Sequence, residues 1–244
     1  MPEYIFYKIT SVNTKAWSSS KPRPHSTRLS TKSGQLDSGS FLIFVIIIFG
    51  LYVFIKLNSS GRGRRGENFV SGKLNRLDPS RYKILNDIML PSRGNSTSTQ
   101  IDQIVISNYG IFCIETKSLK GWIFGNANQE YWTQVIFRYK GRFYNPLRQN
   151  YAHTKAIEEL LGSYRLKKTI VSLVVFTRAD KLKISGTNSV VYARDIVRKI
   201  ESYTLPVVSN AERDLIYNLL TDSNILDRET RKLHVSEVRA LKKY

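Results

Sequence analysis

Two carboxylates and a lysine interrupt the apolar alternation of Gln100 to Lys117, QIDQIVISNYGIFCIETK. The stretch reads as a β-hairpin, with one alternating run on each side of a turn at Ser107-Asn108-Tyr109-Gly110. Glu115 and Lys117 are two apart on the second strand, so both project from one face. A two-residue loop (Asn108-Tyr109) or a four-residue loop (Ser107 to Gly110) sets Asp102 directly opposite Glu115, with Cβ atoms roughly 5 Å apart; a three-residue loop breaks this pairing. Facing carboxylates repel unless something cationic lies between them. A divalent metal with oxygen ligands, flanked by the Lys117 ammonium, is the economical solution.

The elements around this hairpin read as a mixed sheet with helices on its faces. Glu67 opens a helix whose apolar face is Phe69, Val70, Leu74 and Leu77, and Asp78-Pro79 ends it. Tyr82 to Leu90 is expected as a strand, and the polar loop PSRGNSTST leads into the hairpin. Aromatic-rich strands follow at 131–137 and 141–143. Asn145-Pro146 then starts a helix carrying Gln149, His153, Ile157, Leu160 and Leu161. Thr169 to Phe176 reads as a buried strand and Ser189 to Tyr192 as a short one, and helices at about 193–203 and 209–221 close the pattern.

The 244 residues leave room for one sizeable domain plus appendages. A formal charge of +19 points to a polyanionic partner, either nucleic acid or an anionic membrane surface. The excess is not confined to a tail, because the chain beyond residue 65 is basic in its own right. The one cysteine, Cys113, excludes an internal disulfide framework and a Cys-based zinc site, and its place in an apolar strand fits the core. Residues 1–40 are Ser-, Pro- and Lys/Arg-rich and are expected to lack order. Phe41 to Ile55 is uncharged and apolar but spans only about 22 Å of a hydrocarbon core roughly 30 Å thick. With Ser38-Gly39-Ser40, a snorkelling Lys56 and Leu57 it reaches one marginal span, so residues 41–57 are expected as a transmembrane helix inserted in a lipid bilayer. Residues 58–65 (NSSGRGRR) read as a basic linker. The denser cations after the span (Lys56, Arg62, Arg64, Arg65, Lys73) favour a single-pass protein with a cytoplasmic C-terminal domain.

Several blocks, in order, resemble the NERD (nuclease-related) domain of the PD-(D/E)XK restriction-endonuclease-like nucleases. They are Gly66-Glu67; Ile101-Asp102-Gln103; Gly110-Ile-Phe-Cys-Ile-Glu-Thr-Lys117; Gly121-Trp122-Ile123 with Trp132; and Asn145-Pro146-Leu147-Arg148-Gln149-Asn150 leading into His153. The resemblance implies a nuclease domain over 66–178, with 179–244 supplying a strand and helices that pack on it. The expected fold class is therefore α/β, a restriction-endonuclease-like mixed sheet flanked by helices and preceded by a single transmembrane helix. It implies a catalytic set of Glu67, Asp102, Glu115, Lys117 and Gln149. Asp102, Glu115 and the backbone carbonyl of Thr116 would ligate Mg²⁺ or Mn²⁺, with Glu67 holding a second metal or the attacking water. Lys117 would orient or deprotonate that water or stabilise developing charge. Gln149 would position a water or a substrate phosphate.

Each of these residues also has a plainer reading. Glu67 can be a carboxylate favoured by the helix macrodipole, and Gln149 an ordinary helix-face amide. His153, four residues after Gln149 and on the same helical face, either touches phosphate or packs. Arg138, Lys140, Arg142 and Arg148, together with Lys167 and Lys168, suit contacts to a nucleic-acid backbone, DNA before RNA. Trp122, Tyr131 and Trp132 either stack on bases or pack, with packing the better expectation. A membrane-anchored, metal-dependent nuclease is the reading that uses all of these features. A tethered, non-catalytic nucleic-acid-binding module is the first alternative, and a membrane scaffold the second.

Overall fold

The computed structural model describes residues 46–49, 61–92, 98–164 and 170–241. The expected transmembrane helix falls mostly outside them. Residues 46–49 are helical with exposed side chains, and among the described residues no helix is long and apolar enough to cross a membrane. The single-pass placement, with its cytoplasmic domain, is thereby corrected. The physical reason was visible in the shortfall, since fifteen apolar residues do not cover the ~20 that a span needs.

The first helix, α1 (residues 61–74), begins inside the stretch read as a linker, so 61–65 are helical rather than flexible. Arginine is among the better helix formers, and the inward face at Gly66, Val70 and Leu74 repeats every four residues. Phe69, assigned to that face, is instead half exposed. Asp78 ends the connection by accepting the Ser80 N–H at 2.9 Å, which turns the chain into the sheet.

Seven strands form one mixed sheet: β1 Tyr82–Pro91, β2 Ser98–Ser107, β3 Gly110–Asn126, β4 Tyr131–Ile136, β5 Tyr139–Tyr144, β6 Ile170–Ser185 and β7 Val190–Tyr192. β1 through β5 run antiparallel in chain order, while β6 pairs in parallel with β3, and β7 with β6. β3 is therefore the central strand. It is far longer than the hairpin reading allowed, as is β6, and the added halves form an arm that carries β4 and β5.

Helices cover both faces. Val70 and Leu74 of α1, with Ile196 and Ile200 of α3 (Ile196–Glu201), bury Phe112, Ile114, Leu173 and Val175. On the other face Ala156, Ile157 and Leu161 of α2 (Pro146–Ser163), with Ile216 and Leu220 of α4 (Asn210–Asp222), bury Ile104, Ile106, Ile111 and Cys113. The even and odd positions of β3 thus serve two cores, which is why its first half is buried almost throughout. A further helix, α5 (Arg228–Leu241), lies beyond the last helix expected, at about 209–221.

Candidate active site

The turn decides the register. Asn108 and Tyr109 form a two-residue loop, and pairing runs from Ser107↔Gly110 to Gln103↔Ile114. The next position brings Asp102 to Glu115, and here the backbone ladder stops. The Asp102 Oδ2 accepts the Thr116 N–H at 2.7 Å, a side chain taking the place of a strand carbonyl. Glu115 is buried, 3 % exposed. Its Oε1 accepts from Lys117 Nζ at 2.6 Å, and its Oε2 lies 3.2 Å from His153 Nε2. Lys117 also donates to Gln149 Oε1 at 2.7 Å. His153 Nδ1 lies 2.6 Å from Thr99 Oγ1. One chain of polar contacts, Thr99–His153–Glu115–Lys117–Gln149, joins β2, α2 and β3.

These contacts split the two carboxyls electrostatically. Burial works to raise Glu115, but the Lys117 ammonium and the His153 hydrogen bond outweigh it and hold the carboxyl at about 2. Asp102 goes the other way. Burial and the Glu115 charge push it well above the usual carboxylate range, and the single Thr116 N–H does not offset them. Glu67 is raised by partial burial, then by Asp87 and by Glu115, which places its carboxyl within electrostatic reach of the pair.

Local sequence explains how α2 delivers its side chains. Asn145 caps the helix by accepting the Leu147 N–H at 2.9 Å, with Pro146 at the first position. The Asn145 Nδ2 donates to the Ala127 and Gln129 carbonyls at 3.0 and 2.6 Å. One turn on, Asn150 donates to the carbonyls of Cys113 and Leu173, at 2.9 and 3.1 Å, clamping α2 to β3 and β6. Gln149 and His153, at i and i+4, then project side by side over Glu115 and Lys117. On the other side Gly66 lets α1 approach closely, since a Cβ there would lie 2.9 Å from the Ser118 Cβ. Gly66→Val is accordingly expected to cost about 1–3 kcal/mol, seen as a lower urea midpoint. An unchanged midpoint would mean that α1 is not seated by this contact.

Other expected residues fall differently. His153 is 5 % exposed and packs between Thr99 and Glu115, the second of its two readings. Thr116 gives its N–H to Asp102 and its hydroxyl to Gln103 Oε1 at 3.0 Å. Arg138, Lys140 and Arg142 are exposed around the β4–β5 hairpin, and Arg148 is exposed and tied to the Asn128 carbonyl. Lys167 and Lys168 lie outside the described residues. Trp132 is fully buried, donating its indole N–H to the Asn126 carbonyl, whereas Trp122 and Tyr131 are exposed.

Sequence reasoning missed Asp87 and Thr99. Asp87 lies on β1 at the rung facing Asp102, between the pairs Asn86↔Gln103 and Ile88↔Ile101, with φ at 54°. Arg231 of α5 holds it, Nη1 to Oδ2 at 2.9 Å and Nη2 to the backbone carbonyl at 3.1 Å. A left-handed aspartate in a strand has no pattern by which a sequence betrays it. Thr99 sat in a Ser/Thr-rich loop and carried no distinguishing mark.

Among the described residues no three His, Cys, Asp or Glu side chains converge as a ready cation site. The donors that do face one another are hard carboxylate oxygens. They suit Mg²⁺ or Mn²⁺, ions that keep several waters and need only one or two protein carboxylates. Glu115 and Asp102 meet that requirement.

The family profile for the nuclease-related domain (NERD) matches residues 62–177. The chain is 38% identical over 205 residues to an uncharacterized protein of Bacillus anthracis, an alignment covering 80% of this chain and 94% of that one. No solved structure matches it. Residues 62–177 of the chain therefore carry a nuclease-related domain.

Proposed function

We propose that this chain is a metal-dependent nuclease of the PD-(D/E)XK kind, hydrolysing phosphodiester bonds, with Asp102, Glu115, Lys117 and Gln149 at its centre. The observation that carries the reading is Lys117, whose ammonium bridges Glu115 Oε1 and Gln149 Oε1 beside a second, poorly compensated carboxylate. A structural salt bridge would not need Asp102 next to it.

Asp102 and Glu115 would hold Mg²⁺ or Mn²⁺, with the Thr116 carbonyl assigned as a further ligand and Glu67 supporting a second ion or a water. Bound there, the ion would supply Lewis acidity and neutralise charge on the phosphate. The protein's own groups do the rest. Glu115 stays ionised at neutral pH because Lys117 and His153 hold its carboxyl low. Lys117 orients the attacking water or meets the negative charge that develops on the non-bridging oxygens. Gln149 fixes the Lys117 head group and leaves its amide nitrogen for a water or phosphate oxygen. Thr99 and His153 keep Glu115 from rotating. DNA is the favoured substrate.

Digestion of supercoiled plasmid by the full chain tests this. Cleavage is expected with Mg²⁺ or Mn²⁺ and none in EDTA. Plasmid left intact with either ion, but retained on a filter by the protein, would favour a binding module over an enzyme.

A further inference from the structure

Beyond Gly121 the sheet forms an arm, and only one of its faces is covered. Ile123, Trp132, Leu182 and Ile184 point inward and pack with Phe176 and Leu147. Register fixes what the opposite face carries. Trp122 pairs with Lys181, and Phe124 with Lys183, on one side of β3. On the other side Phe124 pairs with Thr133, Thr133 with Arg142, and Tyr131 with Tyr144. Directly paired residues share a face, so Trp122, Phe124, Tyr131, Arg142, Lys181 and Lys183 lie together on one four-stranded surface.

Trp122 and Tyr131 are 45% and 41% exposed. The Lys181 and Lys183 ammoniums stand 5.3 and 5.2 Å from the Trp122 ring centre, and the Arg142 guanidinium 4.9 Å from that of Tyr131. Among the described residues the ion pairs draw on other cations, so these three face solvent and aromatic rings rather than carboxylates. At the arm's tip, Phe137 holds φ at 53° and is 90% exposed, an apolar ring displayed at a conformational cost.

We propose that this open face binds single-stranded nucleic acid, its aromatic rings stacking on unpaired bases while Lys181, Lys183 and Arg142 meet the phosphates. Flat rings interleaved with unpaired cations on an exposed sheet recognise bases by their π faces and backbone by its charge, which a duplex with its bases stacked inside does not offer. β3 continues from this face to Lys117, five residues or roughly 17 Å from Trp122. The proposal deepens the nuclease reading by naming its substrate class, but the binding it asserts needs no catalysis.

The test is fluorescence anisotropy of labelled oligothymidylate, oligouridylate and a matched duplex with the full-length chain in EDTA. The wild type is expected to bind at least one of the single strands more tightly than the duplex. Trp122→Ala with Tyr131→Ala is expected to weaken that binding about tenfold or more while changing duplex affinity little. Lys181→Gln with Lys183→Gln, both exposed and remote from any core, should lower the salt slope by about 1.4. Duplex bound as tightly as either single strand, or single-strand affinity unchanged in both double variants, overturns the proposal. Digestion of single-stranded circular DNA and of plasmid in Mg²⁺ is read separately. Wild type that binds strands without cutting fails the nuclease reading alone, and variants that cut and bind as wild type fail this one alone.

Discussion

Lys117→Met is expected to reduce plasmid cleavage by roughly a thousandfold and also to lower the melting temperature by several degrees. On the proposed nuclease reading, the loss of activity follows from removing the ammonium assigned to the developing phosphate charge. The loss of stability follows from Glu115, which is buried and has Lys117 and His153 as its compensating partners. Breaking a buried pair by deleting one member costs about 3–5 kcal/mol, and the 22% exposure of the Lys117 side chain puts this case at or below the lower end. The pH sign agrees. A carboxyl held at about 2 rather than its ordinary 4.5 contributes stability above the ordinary value, lost as pH falls toward 2. Without Lys117 the Glu115 carboxyl is held less low, so the variant should lose less of its stability than the wild type as pH falls toward 2. Glu115→Gln combined with Lys117→Met is expected to recover much of the melting temperature and none of the activity. Full cleavage by Lys117→Met would remove the site assignment, and an unchanged melting temperature would show that Glu115 finds its compensation elsewhere.

That double consequence could not be read from the sequence. Spacing alone put Glu115 and Lys117 on one face, and a two-residue turn put Asp102 opposite Glu115. Both are local facts set by the two-residue period of a strand. Burial is not local. The depth of Glu115 depends on α2 closing over it, which rests on Asn145 and Asn150 donating to carbonyls on three separate segments. His153 shows the same limit: helical spacing gave its neighbour Gln149, but not that it would be sealed against Glu115.

The fold was legible where period and punctuation agreed. The central hairpin, the Asn145-Pro146 helix start and the helix near 209–221 needed only alternation, a cap or a capping box. The arm was not legible. β3 and β6 run on through irregular pairings between Lys117 and Trp122, and a bulge breaks the alternation by which a strand announces itself. Gly121, with φ at 85° and no room for a Cβ against the Val135 carbonyl, reads in sequence as a strand end yet lies within one. Two of the contacts that tie α5 to the sheet are polar, Arg231 to Asp87 and His234 to Ser98, and such contacts leave no periodic apolar mark.

Asp102→Asn is expected to abolish cleavage and, in EDTA, to raise the melting temperature. Asparagine keeps an oxygen for the Thr116 N–H, so the strand contact survives while the charge is removed. In the wild type that charge is unfavourable, because burial and Glu115 push the Asp102 carboxyl up. A carboxyl raised in the folded state binds protons better than the unfolded chain does. Metal-free wild type should therefore gain stability from this group as pH falls from neutral through the raised value, and lose it as pH rises again. The substitution removes that dependence. Each kcal/mol recovered shifts the midpoint by about 2–4 °C in a chain of this size. Divalent cation should reverse the ranking. An ion at a hundred times its dissociation constant adds about 2.7 kcal/mol to a protein that binds it only when folded, so Mg²⁺ should stabilise the wild type and leave the variant nearly unmoved. Equal stabilisation of both would mean that Asp102 holds no metal. A variant less stable than wild type in EDTA would mean that its charge is matched by a cation, and that the anionic pair is not the poised site its burial indicates.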